Sequence, residues 1–258
     1  MAVQAQHEWT LERMPATHGA AVLREDVDLA AALGGARLVA AQRDCVARVL
    51  LVERGRWAPR CGPDVVGGLG LLLLDGLIVR HTGGNGRSAA ELLGPGDLLR
   101  PWEYGHGRDG SLPVGTSLRV VEQARLAVLD RRFAARLGPY PEVAGALVGR
   151  ALQRARTLAV QLAIAHHPRV DHRVLLLFWH LAERWGKVTT AGVHLALPIT
   201  HQCLADLVAA RRPSVSTGLA QLARDGLVTP ANAGWLLHGD PPLDLFNEEA
   251  DPGLNGHS

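Results

Sequence analysis

The chain has 258 residues, with 27 Lys+Arg against 25 Asp+Glu for a formal net charge of +2, and 47% of its residues are apolar. That is a globular composition with room for one large domain or two ordinary ones, and a 20% charged fraction with 29 glycines in no regular period excludes a disordered chain and a collagen-like fibre. The densest apolar run, Leu69 to Leu74, stops at Asp75, and the segment resuming at Leu77 meets Arg80, so no membrane span is expected. The N-terminus shows no basic start followed by an apolar core, so no secretory signal is read there and a cytoplasmic location is the expectation. Cys45, Cys61 and Cys203 lie far apart with no C-x-x-C pair, so reduced, mostly buried thiols are expected in place of a disulfide framework or zinc site. Lys187 is the only lysine, so nearly all positive charge is guanidinium.

In chain order, the first half consists of short apolar runs: Val46 to Val52, Val65 to Leu74, Leu77 to Val79, Leu98-Leu99, Leu118 to Val121 and Leu126 to Leu129. Gly62-Pro63, the Gly-Gly-Asn-Gly run at Gly83 to Gly86, and Gly94-Pro95-Gly96 separate them. Such spacing predicts an antiparallel sandwich or small barrel. Near Arg136 to Pro141 the punctuation vanishes and a helical period takes over. Between Pro141 and Pro168, Ala144, Val148, Ala151, Ala155, Leu158, Leu162 and Ala165 recur at steps of four and three, a heptad seam on a helix of roughly 25 residues, about 37 Å at the usual helical rise. A seam so rich in alanine lets two helix axes approach closely, and a dimer helix is predicted, with Leu147 and Leu152 turned to the domain's own sheet. A long helix packed only on its own domain is the alternative. Pro168 ends the helix and predicts a hinge. Arg173 to Trp185 reads as a second helix, and the β-branched stretch Val188 to Leu197 as short strands.

From Ile199 to Val228 the pattern becomes specific. Thr200 can cap a helix whose apolar face is Leu204, Leu207 and Val208. After a tight turn near Ala209 to Arg211, a second helix begins with Pro213 in its first turn. Its inner face is Val215, Leu219 and Leu222, and its outer face presents Arg212, Ser214, Thr217 and Gln221. Gly226-Leu227-Val228 and Ala233 to Leu237 supply the strands of a wing. Together these describe a winged helix-turn-helix. Its chemistry suits double-stranded DNA: Arg212 or Arg211 can fork onto guanine O6 and N7, while hydroxyls and helix-start amides hold phosphates. Residues 169–239 carry seven basic against four acidic residues, net +3, which is enough when two copies act together. The segment from Asp240 adds five acidic residues and no basic one.

A β-rich N-terminal domain, a long dimer helix, a hinge and a winged helix-turn-helix, in that order, resemble the Crp/Fnr family of bacterial transcription regulators. The resemblance covers about Val27 to His238. It is carried most specifically by Thr200-His201-Gln202 opening the first helix and Arg212-Pro213-Ser214-Val215-Ser216 opening the second, and more weakly by Asp75-Gly76 and Gly94-Pro95-Gly96-Asp97, which look like turns of the family's β-roll. It implies an α+β fold: a cyclic-nucleotide-binding-like β-roll over 1–139, a dimerisation helix and hinge over 140–168, a winged helix-turn-helix over 169–239, and a disordered acidic tail over 240–258. By the same resemblance Thr200, His201 and Gln202 would contact phosphate, and Arg212, Pro213, Ser214, Ser216 and Thr217 would lie in the major groove, with Arg211 and Gln221 beside them. The partners would be double-stranded DNA, a second copy of the chain, and RNA polymerase as a further candidate.

The departures carry information too. Pro213 stands where many relatives have an acidic residue, Thr217 where they have a second Arg, and Ala209 where a glycine is usual, so a target other than the best-known half-site is expected. Cyclic-nucleotide binders of the family hold the phosphate with Gly-Glu and a later Arg-Ser or Arg-Ala. Here Gly96-Asp97 is followed by Leu98-Leu99-Arg100-Pro101-Trp102 and then Pro113 to Ser117, so that cassette is absent and no classical effector is expected. Three scattered cysteines cannot hold an iron-sulfur cluster, and His81 and His106 are lone candidates for haem. No cofactor and no metal are expected, and no G-x-S-x-G occurs. The alternatives are a cupin-like metal-dependent enzyme, for which the β-roll lacks an H-x-H and leaves Glu91 isolated, and a protein-binding scaffold. The hinge histidines His166, His167 and His172 are the remaining place for a metal.

Overall fold

A computed structural model describes residues 17–59, 61–84, 87–101, 115–232, 234–243 and 245. Two units divide between Leu158 and Ala159. The first begins with β1 (Thr17–Ala21) and three helices that the sequence reading did not anticipate: α1 (Val22–Glu25), α2 (Val27–Ala30) and α3 (Gly35–Asp44). Then follow β2 (Val46–Val52), β3 (Gly55–Trp57), α4 (Pro63–Val66), β4 (Gly70–Gly84), β5 (Arg87–Leu93), β6 (Leu98–Leu99) and β7 (Gly115–Leu129). The strands form one antiparallel sheet in the order β1-β2-β7-β4-β5, with β3 added on β7 and β6 on β4.

Two 15-residue strands organise this sheet. β4 and β7 pair from Gly70↔Leu129 to Gly83↔Gly115, so runs that look separate in the sequence belong to single long strands. Asp75-Gly76, expected as a turn, is a bulge within β4, where the register slips around Asp75 and Leu77. Gly76 adopts a φ of +94° there, and a Cβ on it would collide with the carbonyl of Gln123. Gly94-Pro95-Gly96-Asp97 is a true turn: the Asp97 carboxylate accepts from the Gly94 amide at 2.8 Å, and Gly96 sits at φ +90°. The run Leu71 to Leu74 is apolar at every position because both faces of β4 are covered. Leu71 and Leu73 point into the roll with Leu50, Ile78, Leu126 and Val128. Leu72 faces the opposite way, into a layer that includes Leu23, Leu29 and Ala41, together with Phe133 and Leu137 of α5 (Arg131–Leu137) and Val143 and Leu147 of α6 (Pro141–His166).

The layer against α6 is reinforced by ion pairs. Arg150 donates to both oxygens of Asp26 at 2.5 and 2.6 Å, and Asp26 also caps α2 by accepting from the Leu29 amide. Arg154 donates twice to Glu91, at 2.6 and 2.9 Å, and once to the Leu98 carbonyl. Glu91 is only 7% exposed and takes a further bond from Arg80, its cross-strand neighbour, at 2.5 Å. Glu91 is therefore not the isolated carboxylate of the sequence reading but the shared acceptor of two guanidiniums. Of the three free thiols only Cys45 is fully buried; Cys61 and Cys203 are half-buried, and desolvation pushes the Cys61 thiol up to about 11.

The second unit contains α7 (Val170–Trp185), β8 (Gly186–Thr189), β9 (Gly192–Leu195), α8 (His201–Leu207), α9 (Arg212–Arg224), β10 (Val228–Ala231) and β11 (Gly234–Leu237). Its strands pair antiparallel in the order β10-β11-β9-β8. Phe178 of α7 packs on Trp235 of β11 with ring centres 5.1 Å apart. Gly218 lets α7 approach α9: a Cβ there would sit 3.2 Å from the Asp171 Cα. Among the described residues no helix is long and apolar enough to cross a membrane.

Candidate nucleic-acid interface

Thr200 holds the extended conformation of an N-cap, and its Oγ1 accepts from the Cys203 amide at 3.2 Å. The seven-residue α8 then buries Leu204, Ala205 and Leu207. The chain reverses at Ala209, the one non-glycine described with positive φ, at +51°. The left-handed region strains a side chain with a Cβ by roughly 1–2 kcal/mol. Ala209→Gly is accordingly expected to raise stability by about 0.5–1 kcal/mol, the strain relieved exceeding the added entropy of the unfolded chain. Urea unfolding of the two proteins side by side checks this, and an unchanged or lowered midpoint would contradict the strain.

Arg211 is the N-cap of α9 with no side-chain cap, Arg212 is the first helical residue, and Pro213 follows within the first turn. Val215, Gly218, Leu219 and Leu222 are buried. Arg211, Arg212, Pro213, Ser214 and Thr217 are exposed, so the start of α9 presents two guanidiniums and its first amides to solvent. Ser216 is half-buried, one turn after Arg212. The imidazole Nδ1 of His201 lies 3.0 Å from Ser216 Oγ, which joins the start of α8 to the second turn of α9. The His201 ring also faces Trp235, with centres 6.1 Å apart. Thr217 Oγ1 donates back to the Pro213 carbonyl at 3.1 Å.

Two of the expected contacts stand apart from this group. Gln202 donates to Asp206 on its own helix at 2.8 Å. Gln221, near the far end of α9, donates to Asp225 at 2.8 Å and accepts from Arg224 at 2.5 Å. The His201–Ser216 link has no signal in the sequence, because the two residues lie fifteen positions apart on different helices. Behind the site, Arg169 donates to Asp171 at 2.6 Å and holds that carboxyl below the usual carboxylate range. β10 and β11 pair from Val228↔Leu237 to Ala231↔Gly234 and form the wing; Ala233 lies outside the described residues.

Along α6 the seam residues Val148 and Leu162 are 61% and 60% exposed, Leu158 is 36% exposed, Ala151 and Ala155 are exposed, and Ala144 is half-buried. Leu147 turns inward as expected, at 5% exposure. Leu152 does not: at 64% it stands one turn beyond Val148 on the outer side. A residue four positions on shares a helix face with Val148, whereas one five positions beyond Leu147 is rotated well off the covered side.

Around Arg100, residues 102–114 lie outside the described residues, and with them His106. Of the hinge histidines, the His167 and His172 rings are 5.0 Å apart and His166 bonds the Leu162 carbonyl. Among the described residues no group of three or more His, Cys, Asp or Glu side chains could hold a metal ion.

In chain order the architecture is a β-roll, a long helix and a winged helix-turn-helix. Residues 172–238 match the family described as the Crp-like helix-turn-helix domain. Several solved structures share the fold. A CooA variant from Carboxydothermus hydrogenoformans is 16% identical, with 93% of this chain and 99% of that one covered and a TM-score of 0.61. FixK2 from Bradyrhizobium japonicum is 17% identical over 78% and 96%, with a TM-score of 0.57. A CRP-family transcriptional regulator from Thermus thermophilus, TTHB099, is 21% identical over 77% and 95%, with a TM-score of 0.54. No curated protein matches. Residues 172–238 are thus a Crp-like helix-turn-helix domain, and the chain as a whole shares the fold of these solved structures.

Proposed function

We propose that the protein acts as a homodimer on an inverted-repeat operator, without a cyclic nucleotide, and that residues 211–217 of each copy enter successive major grooves. The observation that carries this reading is the exposed start of α9, where Arg211 and Arg212 flank uncapped helix amides. Phosphates are held by such amides and by Thr200, and base edges are read by the forked guanidinium of Arg212. The exposed seam of α6, Val148, Ala151, Ala155, Leu158 and Leu162 at heptad spacing with Leu152 beside it, supports self-association, because such a seam is a coiled-coil surface. Two heads joined in this way address half-sites about 34–36 Å apart, one turn of duplex.

Independence from a cyclic nucleotide is supported by the charges of the roll. Arg80 and Arg154 direct their guanidiniums at Glu91, and Arg150 directs its own at Asp26, so the cations at this face of α6 already have carboxylate partners. Selection of bound sequences from a random duplex pool tests the proposal: an inverted repeat is the expected outcome, and enrichment of none would refute it. Arg212→Ala is expected to cost about 1–3 kcal/mol of binding and to relax preference at a single base pair per half-site. Competition binding with single-base operator variants measures both effects.

A further inference from the structure

Two hydroxyls of α9, those of Thr217 and Ser216, are not neutral in the hydrogen-bonding sense. A hydroxyl has one proton and two lone pairs, so once its proton is donated inside the protein it can only accept from outside. Thr217 is in that state without ambiguity, because its partner, the Pro213 carbonyl at 3.1 Å, can only accept. Ser216 shares its bond with His201 Nδ1 at 3.0 Å, and a neutral imidazole carrying its proton on Nε2 takes the Ser216 proton in the same way.

We propose that α9 reads bases next to the Arg212 contact with a pair of acceptor-only hydroxyls, Thr217 and Ser216, and that His201 is the positioning residue that sets the polarity of Ser216. The resemblance would make His201 a phosphate contact. Its Nδ1 instead turns to the reading helix, and its ring is backed by Trp235. The chemistry then selects the base. Only adenine N6 and cytosine N4 offer a proton in the major groove, whereas guanine O6 and N7 and thymine O4 offer none. A carboxylate on the reading helix would select cytosine by the same logic; this chain has Pro213 in the helix start and moves the acceptor role onto two hydroxyls. Each half-site is thus expected to hold a guanine under Arg212 and, beside it, adenine or cytosine at the positions facing Thr217 and Ser216.

This inference rests on the proposed docking of α9 in the major groove, and the test separates the two. The wild type, Thr217→Val, Ser216→Ala and His201→Phe are compared on a randomised half-site, at several salt concentrations. Thr217→Val and Ser216→Ala are expected to lose roughly three- to tenfold of the preference for adenine or cytosine at one position each, the worth of a single hydrogen bond. His201→Phe keeps a ring against Trp235 but frees the Ser216 proton, so guanine or thymine is newly admitted at that position while the salt slope stays unchanged. In a Ser216→Ala background His201→Phe adds nothing to base preference, a cycle that a purely structural role would not produce. Nitrogen NMR of the free protein is expected to find the His201 proton on Nε2, and a proton on Nδ1 would overturn the assignment for Ser216. A His201→Phe variant that weakens all sequences equally and lowers the salt slope by about 0.9 would mark a phosphate contact and overturn the positioning role. Wild-type binding that prefers guanine or thymine at both positions would overturn the proposal while leaving DNA binding intact; no binding to any duplex would overturn the docking itself. Should His201→Phe fail to fold, Thr217→Val still decides, since it changes one exposed group.

Discussion

Leu152→Arg is expected to yield a single-subunit protein and to lower affinity for an inverted-repeat duplex by about 10²–10⁴-fold, the gain that linking two heads confers over one. Leu152 is 64% exposed and lies between Val148 and Leu162, each about as exposed. A guanidinium placed there would have to be desolvated against its own symmetry mate, because a two-fold interface brings the same patch of both copies together. Binding to an isolated half-site should change far less, since no residue of α9 is altered. Sedimentation analysis and a duplex titration check the two halves of the expectation. A variant that remains paired and retains operator affinity would remove α6 from the interface.

The second large effect is expected at the opposite side of the same helix. Glu91→Ala should destabilise the β-roll by about 3–5 kcal/mol, the usual result of removing one member of a buried ionic group. Arg80 and the Arg154 side chain are only 10% and 16% exposed, and both lose the carboxylate they share at 2.5–2.9 Å. Glu91→Gln, which keeps volume and one acceptor, should lose less. The exposed pair Arg125–Glu25 supplies the contrast: its side chains are 40% and 31% exposed, and Glu25→Ala should cost no more than about 1 kcal/mol. Urea unfolding of the three variants gives the order directly, and equal midpoints for Glu91→Ala and Glu25→Ala would contradict the buried assignment.

Much of this protein is legible without coordinates wherever the physics is local. Thr200 caps because a hydroxyl one residue ahead of a helix meets free amides, and Pro213 opens α9 because its fixed φ suits a first turn. The alternation of Val215, Leu219 and Leu222 marks a buried face for the same reason that it marks any amphipathic helix. Ala209 reads as a departure from glycine, and the left-handed turn explains why that position matters.

What the sequence hides depends on distant partners. Asp75-Gly76 has the composition of a turn, and only pairing with β7 across some fifty positions makes it a bulge in a continuous strand. Leu152 has the character of a core residue until the covered side of α6 is known. Glu91 reads as isolated, yet Arg154, 63 positions away, reaches it. The resemblance makes His201 a phosphate contact, and the link that joins it to Ser216 exists only because two helices meet there. Composition, caps and periodicity by themselves determined the order of parts and most of the faces that the helices bury, since these follow from steric and hydrogen-bonding rules acting within one or two turns. Tertiary structure alone decided which charges are paired and which protons are already engaged, because a side chain's partner is set by the packing of segments that sequence distance does not encode.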